Sequence, residues 1–140
     1  MRWTLIDGLL ATEEGDKVEE GQAVEFKESL GSARRKEGIQ TAVAFANSAG
    51  GRVFFGVRDD GSVKGVQVGE KTLEDLANEI SMHTYPSVPA YIEQIELDGM
   101  NVVVADVAKD TPLVVGVYVY SGDSIPPDKS VDASNLQAYR

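Results

Sequence analysis

Residues 44–51 read AFANSAGG, and residues 52–57 continue as RVFFGV. Small and apolar residues end at Gly50, which is placed to take the left-handed conformation that closes a helix. The apolar run after it predicts a buried strand, in which Phe54 and Phe55 face opposite sides and pack in the core. The sequence therefore predicts a helix that turns sharply into a core strand.

Two hairpins are predicted further along the chain. Asp60-Gly61 is a tight-turn signal that joins the core strand to a strand over residues 62–66. Asp98-Gly99 plays the same role between strands over residues 90–97 and 100–108.

Helical spacing of apolar residues predicts three helices. The first is a short amphipathic helix over residues 2–11, around Trp3. Ser32 is the predicted N-cap of the helix that ends at the glycines, and Thr72 caps the third. The buried stripes of these last two helices consist of Ile39, Ala42, Val43 and Ala46 and of Leu73, Leu76, Ala77 and Ile80.

Strands are also predicted over residues 23–28 and 113–120, and a Pro-rich tail begins at residue 121. Because helices and strands interleave while at least two connections are hairpins, we expect an α+β fold with a mixed, largely antiparallel sheet backed by helices. A length of 140 residues fits one domain, with its core over about residues 21–120.

Composition excludes several classes of protein. A hydrophobic content of 42% supports a packed core, and the absence of cysteine excludes disulfides and thiolate metal sites. His83 is the single histidine, which argues against a His-based zinc site. No apolar run approaches the roughly 20 residues that span a bilayer, and Asp7 interrupts the apolar start, so we expect a cytoplasmic protein rather than a secreted or membrane one.

Charge argues against a nucleic-acid ligand at long range, because the formal net charge is −10. Residues 1–30 hold eight acids and three bases, net −5, and residues 61–140 hold twelve and five, net −7. Residues 31–60 hold five bases and three acids, net +2. Any contact with nucleic acid must therefore be local and use the bases of this segment, which are Arg34, Arg35, Lys36, Arg52 and Arg58.

Three of these cations lie at the predicted start of a helix, in Arg34-Arg35-Lys36. Cations in a first turn oppose the helix dipole. Cations that occupy this unfavourable position can mark a phosphate-binding site, in which backbone N–H groups also contact the phosphate. The alternative is that long, solvated side chains tolerate this position at little cost.

Glu25-Phe26-Lys27 is a second candidate constellation. In a strand, Glu25 and Lys27 project side by side while Phe26 enters the core. A carboxylate that holds Mg²⁺ or Mn²⁺ beside an amine that stabilises charge on phosphate suits a metal-dependent nuclease. The alternative is an ordinary ion pair of little energetic value, with Asp59-Asp60-Gly61 serving only as a turn.

Four segments of the chain stand out by their order and spacing: VEFKESL at 24–30, AFANSAGG at 44–51, VFFGVRDDG at 53–61 and VKGV at 63–66. Together they resemble the Schlafen AlbA-2 family over about residues 21–107. The resemblance implies the same α+β architecture and a domain that binds nucleic acid in prokaryotic regulators and Schlafen proteins.

The resemblance also implies a candidate catalytic set. Schlafen-type RNases use two glutamates and a later aspartate, and the matching positions are Glu20, Glu25 and either Asp59 or Asp60, with Lys27 beside them. Under this hypothesis Glu20, Glu25 and Asp59 hold Mg²⁺ or Mn²⁺.

The chain departs from the family pattern at two places. Arg58 stands where the family commonly has an acid, and Tyr120-Ser121-Gly122 lacks the arginine of a common Arg-x-Gly segment. We therefore predict a binding module for nucleic acid or a regulatory partner, acting in transcriptional regulation without a cofactor, with the endoribonuclease as the alternative. Because Schlafen proteins carry two such lobes, we also expect a homodimer, formed through residues 113–120 or the N-terminal helix.

Overall fold

A computed structural model describes residues 2–85, 87–109, 116–118 and 136–138. No helix in these ranges is long and apolar enough to cross a membrane. The helices are α1 (Ser32–Ala46) and α2 (Thr72–Met82). The strands are β1 (Trp3–Ile6), β2 (Leu9–Thr12), β3 (Val24–Lys27), β4 (Gly51–Phe55), β5 (Thr84–Tyr85), β6 (Ala90–Leu97), β7 (Met100–Val107), β8 (Gly116–Tyr118) and β9 (Leu136–Ala138).

The central sheet has the strand order β3-β4-β7-β6. β3 and β4 are parallel, because α1 carries the chain across from one to the other, whereas the β4–β7 and β7–β6 pairs are antiparallel. β1 and β2 form a separate antiparallel pair, and β5, β8 and β9 form a three-stranded antiparallel sheet. The predicted α+β class, with a mixed and largely antiparallel sheet, is confirmed.

Both faces of the central sheet are covered, which explains why β4 is apolar at consecutive positions. Phe55 and Val53 pack against α1 and α2. Phe54 points to the opposite face and packs with Leu10 and Phe26 under the β1–β2 hairpin. The prediction that the two adjacent phenylalanines face opposite sides and serve the core is confirmed.

The N-terminal helix predicted over residues 2–11 is wrong. The segment is the β1–β2 hairpin, which turns at Asp7 and Gly8 with φ angles of 54° and 79°. An Asp-Gly pair with two positive φ angles is a strong hairpin turn, and it overrides the helical spacing of the apolar residues. An N-terminal helix is therefore not available as the predicted homodimer interface, because this segment is a hairpin.

Two predicted helix caps also differ. Gly31 is the N-cap of α1 and makes no side-chain cap, while Ser32 is already helical. Lys71 is the N-cap of α2. Thr72 instead accepts a hydrogen bond on Oγ1 from the N–H of Gly69, at 2.7 Å, so its hydroxyl stabilises the approach to the helix.

The predicted strand over residues 62–66 is not a regular strand. β4 ends at Phe55 because Gly56 takes a φ of 108°. The chain beyond it makes isolated antiparallel bridges instead, between Val57 and Val63 and between Ser62 and Leu9 of β2.

The hairpin across Asp98-Gly99 is confirmed, and so is the left-handed Gly50, whose φ is 82°. Its N–H donates to the carbonyl of Phe45 at 2.8 Å. Of the predicted strand over residues 113–120, residues 116–118 form β8. The predicted tail includes β9, and Tyr120-Ser121-Gly122 lies outside the described residues.

Candidate functional site

A surface pocket of about 580 Å³ lies where the parallel strands β3 and β4 end and α1 begins. Parallel strands bring their carboxyl ends to one edge of a sheet, and ligands of open α/β sheets bind outside such ends. The pocket is lined by Glu20, Glu25, Phe26, Lys27, Glu28, Arg34 and Asp59.

Glu25 and Lys27 lie side by side at this edge, as the strand period predicts. Lys27 Nζ is 3.2 Å from Glu25 Oε1. Phe26, between them in sequence, is buried on the opposite face of the sheet. The Lys27 side chain is only 15% exposed, so its charge is more shielded from water than that of an ordinary surface lysine.

Glu37, on the second turn of α1, is a member of the site that sequence reasoning missed. Its Oε1 lies 3.6 Å from Lys27 Nζ and accepts a hydrogen bond from Arg34 Nη1. The Arg34 hydrogen bond, assisted by the charge of Lys27, lowers the pKa of Glu37. Its position three residues after Arg34 is the sequence signal for that pair, but the contact with Lys27 depends on how α1 crosses β3.

Glu20 is anchored beside the strand by its own carboxylate. Its Oε2 accepts a hydrogen bond from the N–H of Phe26 at 3.1 Å. Of the two aspartates, Asp59 lines the pocket. Asp60 closes the turn, since its Oδ1 accepts from Ser62 Oγ at 2.6 Å and Ser62 N–H at 2.9 Å, and these bonds lower the pKa of Asp60.

The predicted metal set is brought to one pocket without forming an ion-binding group. Glu20, Glu25 and Asp59 all line it. Within the described ranges, no three histidine or carboxylate side chains are grouped closely enough to hold a metal ion. The side chains as placed therefore do not fit Mg²⁺ or Mn²⁺.

The five predicted phosphate-binding cations do not form one patch. Arg34 lines the pocket, Lys36 is exposed two residues further along α1, and Arg58 is exposed beside Asp59. Arg35 is half-buried, with its Nε 2.9 Å from Glu79 Oε2 and its Nη1 2.6 Å from the Leu30 carbonyl. Arg35 thus ties α1 to α2.

Arg52 lies at the opposite end of β4, on the face covered by the hairpin. Its Nε is 3.4 Å from Asp106 Oδ2, and its guanidinium sits 5.5 Å from the centre of the Trp3 ring. The ion pair joins β4 to β7, and the Trp3 contact anchors the hairpin to the sheet, both far along the strand from the pocket.

Residues 20–130 match the family described as Schlafen, AlbA_2, and the chain belongs to this family. The match covers both the pocket and the central sheet. No curated protein matches the chain significantly.

Solved structures that share the fold include two that cover most of this chain. The DIP2311 protein from Corynebacterium diphtheriae superposes with a TM-score of 0.61 at 21% identity, over 86% of this chain and 26% of that one. The N-terminal domain of a protein from Nitrosomonas europaea, described as related to the ATP-dependent DNA helicase RecG, superposes with a TM-score of 0.51 at 21% identity, over 83% of this chain and 88% of that one. The chain thus spans about a quarter of DIP2311, and at this identity both likenesses concern the fold alone.

Proposed function

We propose that this domain is a nucleic-acid-binding module that contacts phosphate with the first turn of α1 and the adjoining edge of the pocket. The observation that carries the proposal is the composition of that turn. Arg34 is exposed there and Lys36 directly after it, no acid lies in the turn, and no side chain caps its N–H groups. Unpaired N–H groups at a helix start, together with the helix dipole and two cations, favour an anion.

Nucleic acid is the anion that family membership favours. The net charge of −10 repels a polyanion at a distance. Binding is therefore local, modest in affinity and strongly dependent on salt. A role in regulation, such as control of transcription, belongs to the same proposal and rests on the family alone.

A homodimer is part of the proposal as well. Schlafen proteins carry two lobes of this kind in one chain, and a second copy would supply the second lobe here. Two adjacent first turns would double the number of phosphate contacts and raise the avidity for a long ligand.

Replacing Arg34 or Lys36 with alanine should weaken the binding of RNA and DNA alike, because phosphate contacts carry no sequence information. Lys36→Ala should also lower the slope of log K against log salt by about one unit, and Arg34→Ala should lower it by less, because Glu37 already pairs with Arg34. Fluorescence anisotropy with a labelled single strand and a labelled duplex, at several salt concentrations, measures both quantities.

Lys109→Ala is the matched control for these variants. Lys109 is exposed, and its backbone lies beside Gly50, beyond the far end of α1. It removes the same charge without touching the first turn. Absence of binding by the parent chain at low salt would contradict the proposal, and so would an equal loss in the Lys109 control.

A Schlafen-like endoribonuclease is the second candidate, and one observation favours it: Glu20, Glu25, Lys27 and Asp59 line the same pocket. The carboxylates would have to move together before they could share Mg²⁺ or Mn²⁺. The contact of Lys27 with Glu25 would then place an ammonium beside the scissile phosphate.

If the chain is such an enzyme, it cleaves structured RNA in Mn²⁺ or Mg²⁺, and Glu25→Ala abolishes cleavage while the domain stays folded. Glu28→Ala is the control, since Glu28 lines the same pocket but stands outside the catalytic set. Gel assays of RNA cleavage, with circular dichroism for folding, decide the matter. No cleavage by the parent chain in either metal removes this candidate.

A further inference from the structure

We propose that Glu37 is an internal competitor of the nucleic-acid backbone: its carboxylate occupies the position between Lys27 and Arg34 that a phosphate oxygen must take. This inference rests on the proposed function and adds a residue that limits the affinity of the site. The observation behind it is that a single oxygen, Glu37 Oε1, contacts both cations, one from β3 and one from α1.

The two cations are not equally available in this arrangement. Lys27 is 15% exposed and lies between two carboxylates, those of Glu25 and Glu37. Arg34, on the rim of the pocket, donates to Glu37 as well. A phosphate that approaches the pocket therefore meets cations whose charge is already balanced, and it must displace a carboxylate to reach Lys27.

Of the two carboxylates beside Lys27, that of Glu37 is the one that can move away. Glu25 lies next to Lys27 because the two residues are two positions apart on β3 and project to the same face. Glu37 is 42% exposed on the surface of α1, so a rotation of its side chain takes it into water. Its departure would free Lys27 on one side and Arg34 completely, whereas Glu25 would stay in place.

The geometry also defines the ligand chemistry. An ammonium and a guanidinium that both reach one carboxylate oxygen can make the same charge-assisted contacts to an oxygen of a phosphodiester. The hydrogen bond from Arg34 lowers the pKa of Glu37, so its carboxylate is ionised near neutral pH and competes there. A purely structural role would make Glu37 matter for folding but not for affinity.

Glu37→Gln tests this inference, because it removes the charge and keeps the size of the side chain. Glu28→Gln is the matched control: Glu28 is exposed in the same pocket, loses the same charge, and has no ion pair in the part of the chain that the structure describes. Two freed cations should steepen the salt slope by up to about two units for duplex DNA and tighten binding at least about tenfold at low salt. The control should change affinity less than about threefold through net charge.

A double variant separates competition from an indirect effect on folding. In the Glu37→Gln background, Arg34→Ala should cancel most of the gain, because the gain requires the freed guanidinium. Thermal unfolding of each variant shows whether the fold is retained. Equal affinities of the Glu37 and Glu28 variants would overturn the inference.

Inorganic phosphate distinguishes failure of the inference from failure of the proposed function. At constant ionic strength, calorimetric titration should show tighter phosphate binding by the Glu37 variant than by the parent or the Glu28 variant. If Glu37→Gln raises the affinity for phosphate but no variant binds RNA or DNA, the proposed function is wrong, whereas the competition of Glu37 with phosphate at Lys27 and Arg34 is supported. If neither phosphate nor nucleic acid distinguishes the two variants, the competition falls.

Discussion

Replacing Phe54 with alanine is expected to lower the free energy of unfolding by about 3–5 kcal/mol, the usual cost of removing a buried phenylalanine. The ring is completely buried on the hairpin side of the central sheet. It makes edge-to-face contacts with Trp3 and Phe26, at centroid distances of 5.1 Å and 6.0 Å. Because small domains are stable by only about 5–15 kcal/mol, this loss would be a large part of the total.

Urea unfolding followed by tryptophan fluorescence measures this loss directly. Trp3 is the single tryptophan of the chain and touches Phe54, so its signal reports on the contact itself. Tyr91→Ala is the control, since Tyr91 is an aromatic residue of the same sheet that is 69% exposed. A loss below about 1 kcal/mol for Phe54→Ala would mean that the hairpin does not pack on this ring.

The parts of the fold that local signals specify could be predicted from the sequence. The end of α1 and the start of β4 carry two adjacent glycines between a helical and a continuous apolar run. Asp98-Gly99 between two runs of strand-forming residues is an equally local signal. In each case a few neighbouring residues contain the whole signal.

The N-terminal hairpin shows where local signals conflict. The apolar residues between positions 2 and 11 have helical spacing, whereas Asp7-Gly8 is typical of a hairpin turn. The choice depends on tertiary structure, because the sheet has a second apolar face around Phe54 that must be covered. A hairpin with Leu10 and Trp3 on its inner side covers that face.

In the candidate site as well, only contacts between residues that are close in sequence could be predicted. Glu25 and Lys27 share a face because a strand has a period of two, which the sequence alone contains. The contact of Glu37 with Lys27 and that of Arg35 with Glu79 join residues from different elements. The sequence does not show how α1 crosses β3 or packs against α2, so both contacts could be identified only in the structure.

Gly50→Ala is expected to destabilise the domain by about 3 kcal/mol or more, for two reasons that add. Gly50 has a φ of 82°, where an alanine costs about 1–2 kcal/mol. An added Cβ would also lie 2.8 Å from the carbonyl oxygen of Val107 and 3.1 Å from the backbone nitrogen of Lys109. Both are backbone atoms, one at the end of β7 and one two residues beyond it, so neither can rotate away.

Gly99→Ala separates these two costs. Gly99 has nearly the same φ, 80°, but an added Cβ there meets nothing within 4 Å, so only the backbone cost of about 1–2 kcal/mol is expected. The difference between the two variants in urea unfolding measures the close approach of the α1–β4 turn to β7. Equal losses would mean that β7 yields to the added methyl group. A larger loss at Gly50 would show that this glycine is required where α1 turns into β4, the connection that sets α1 across the sheet and brings Arg34 and Glu37 to Lys27.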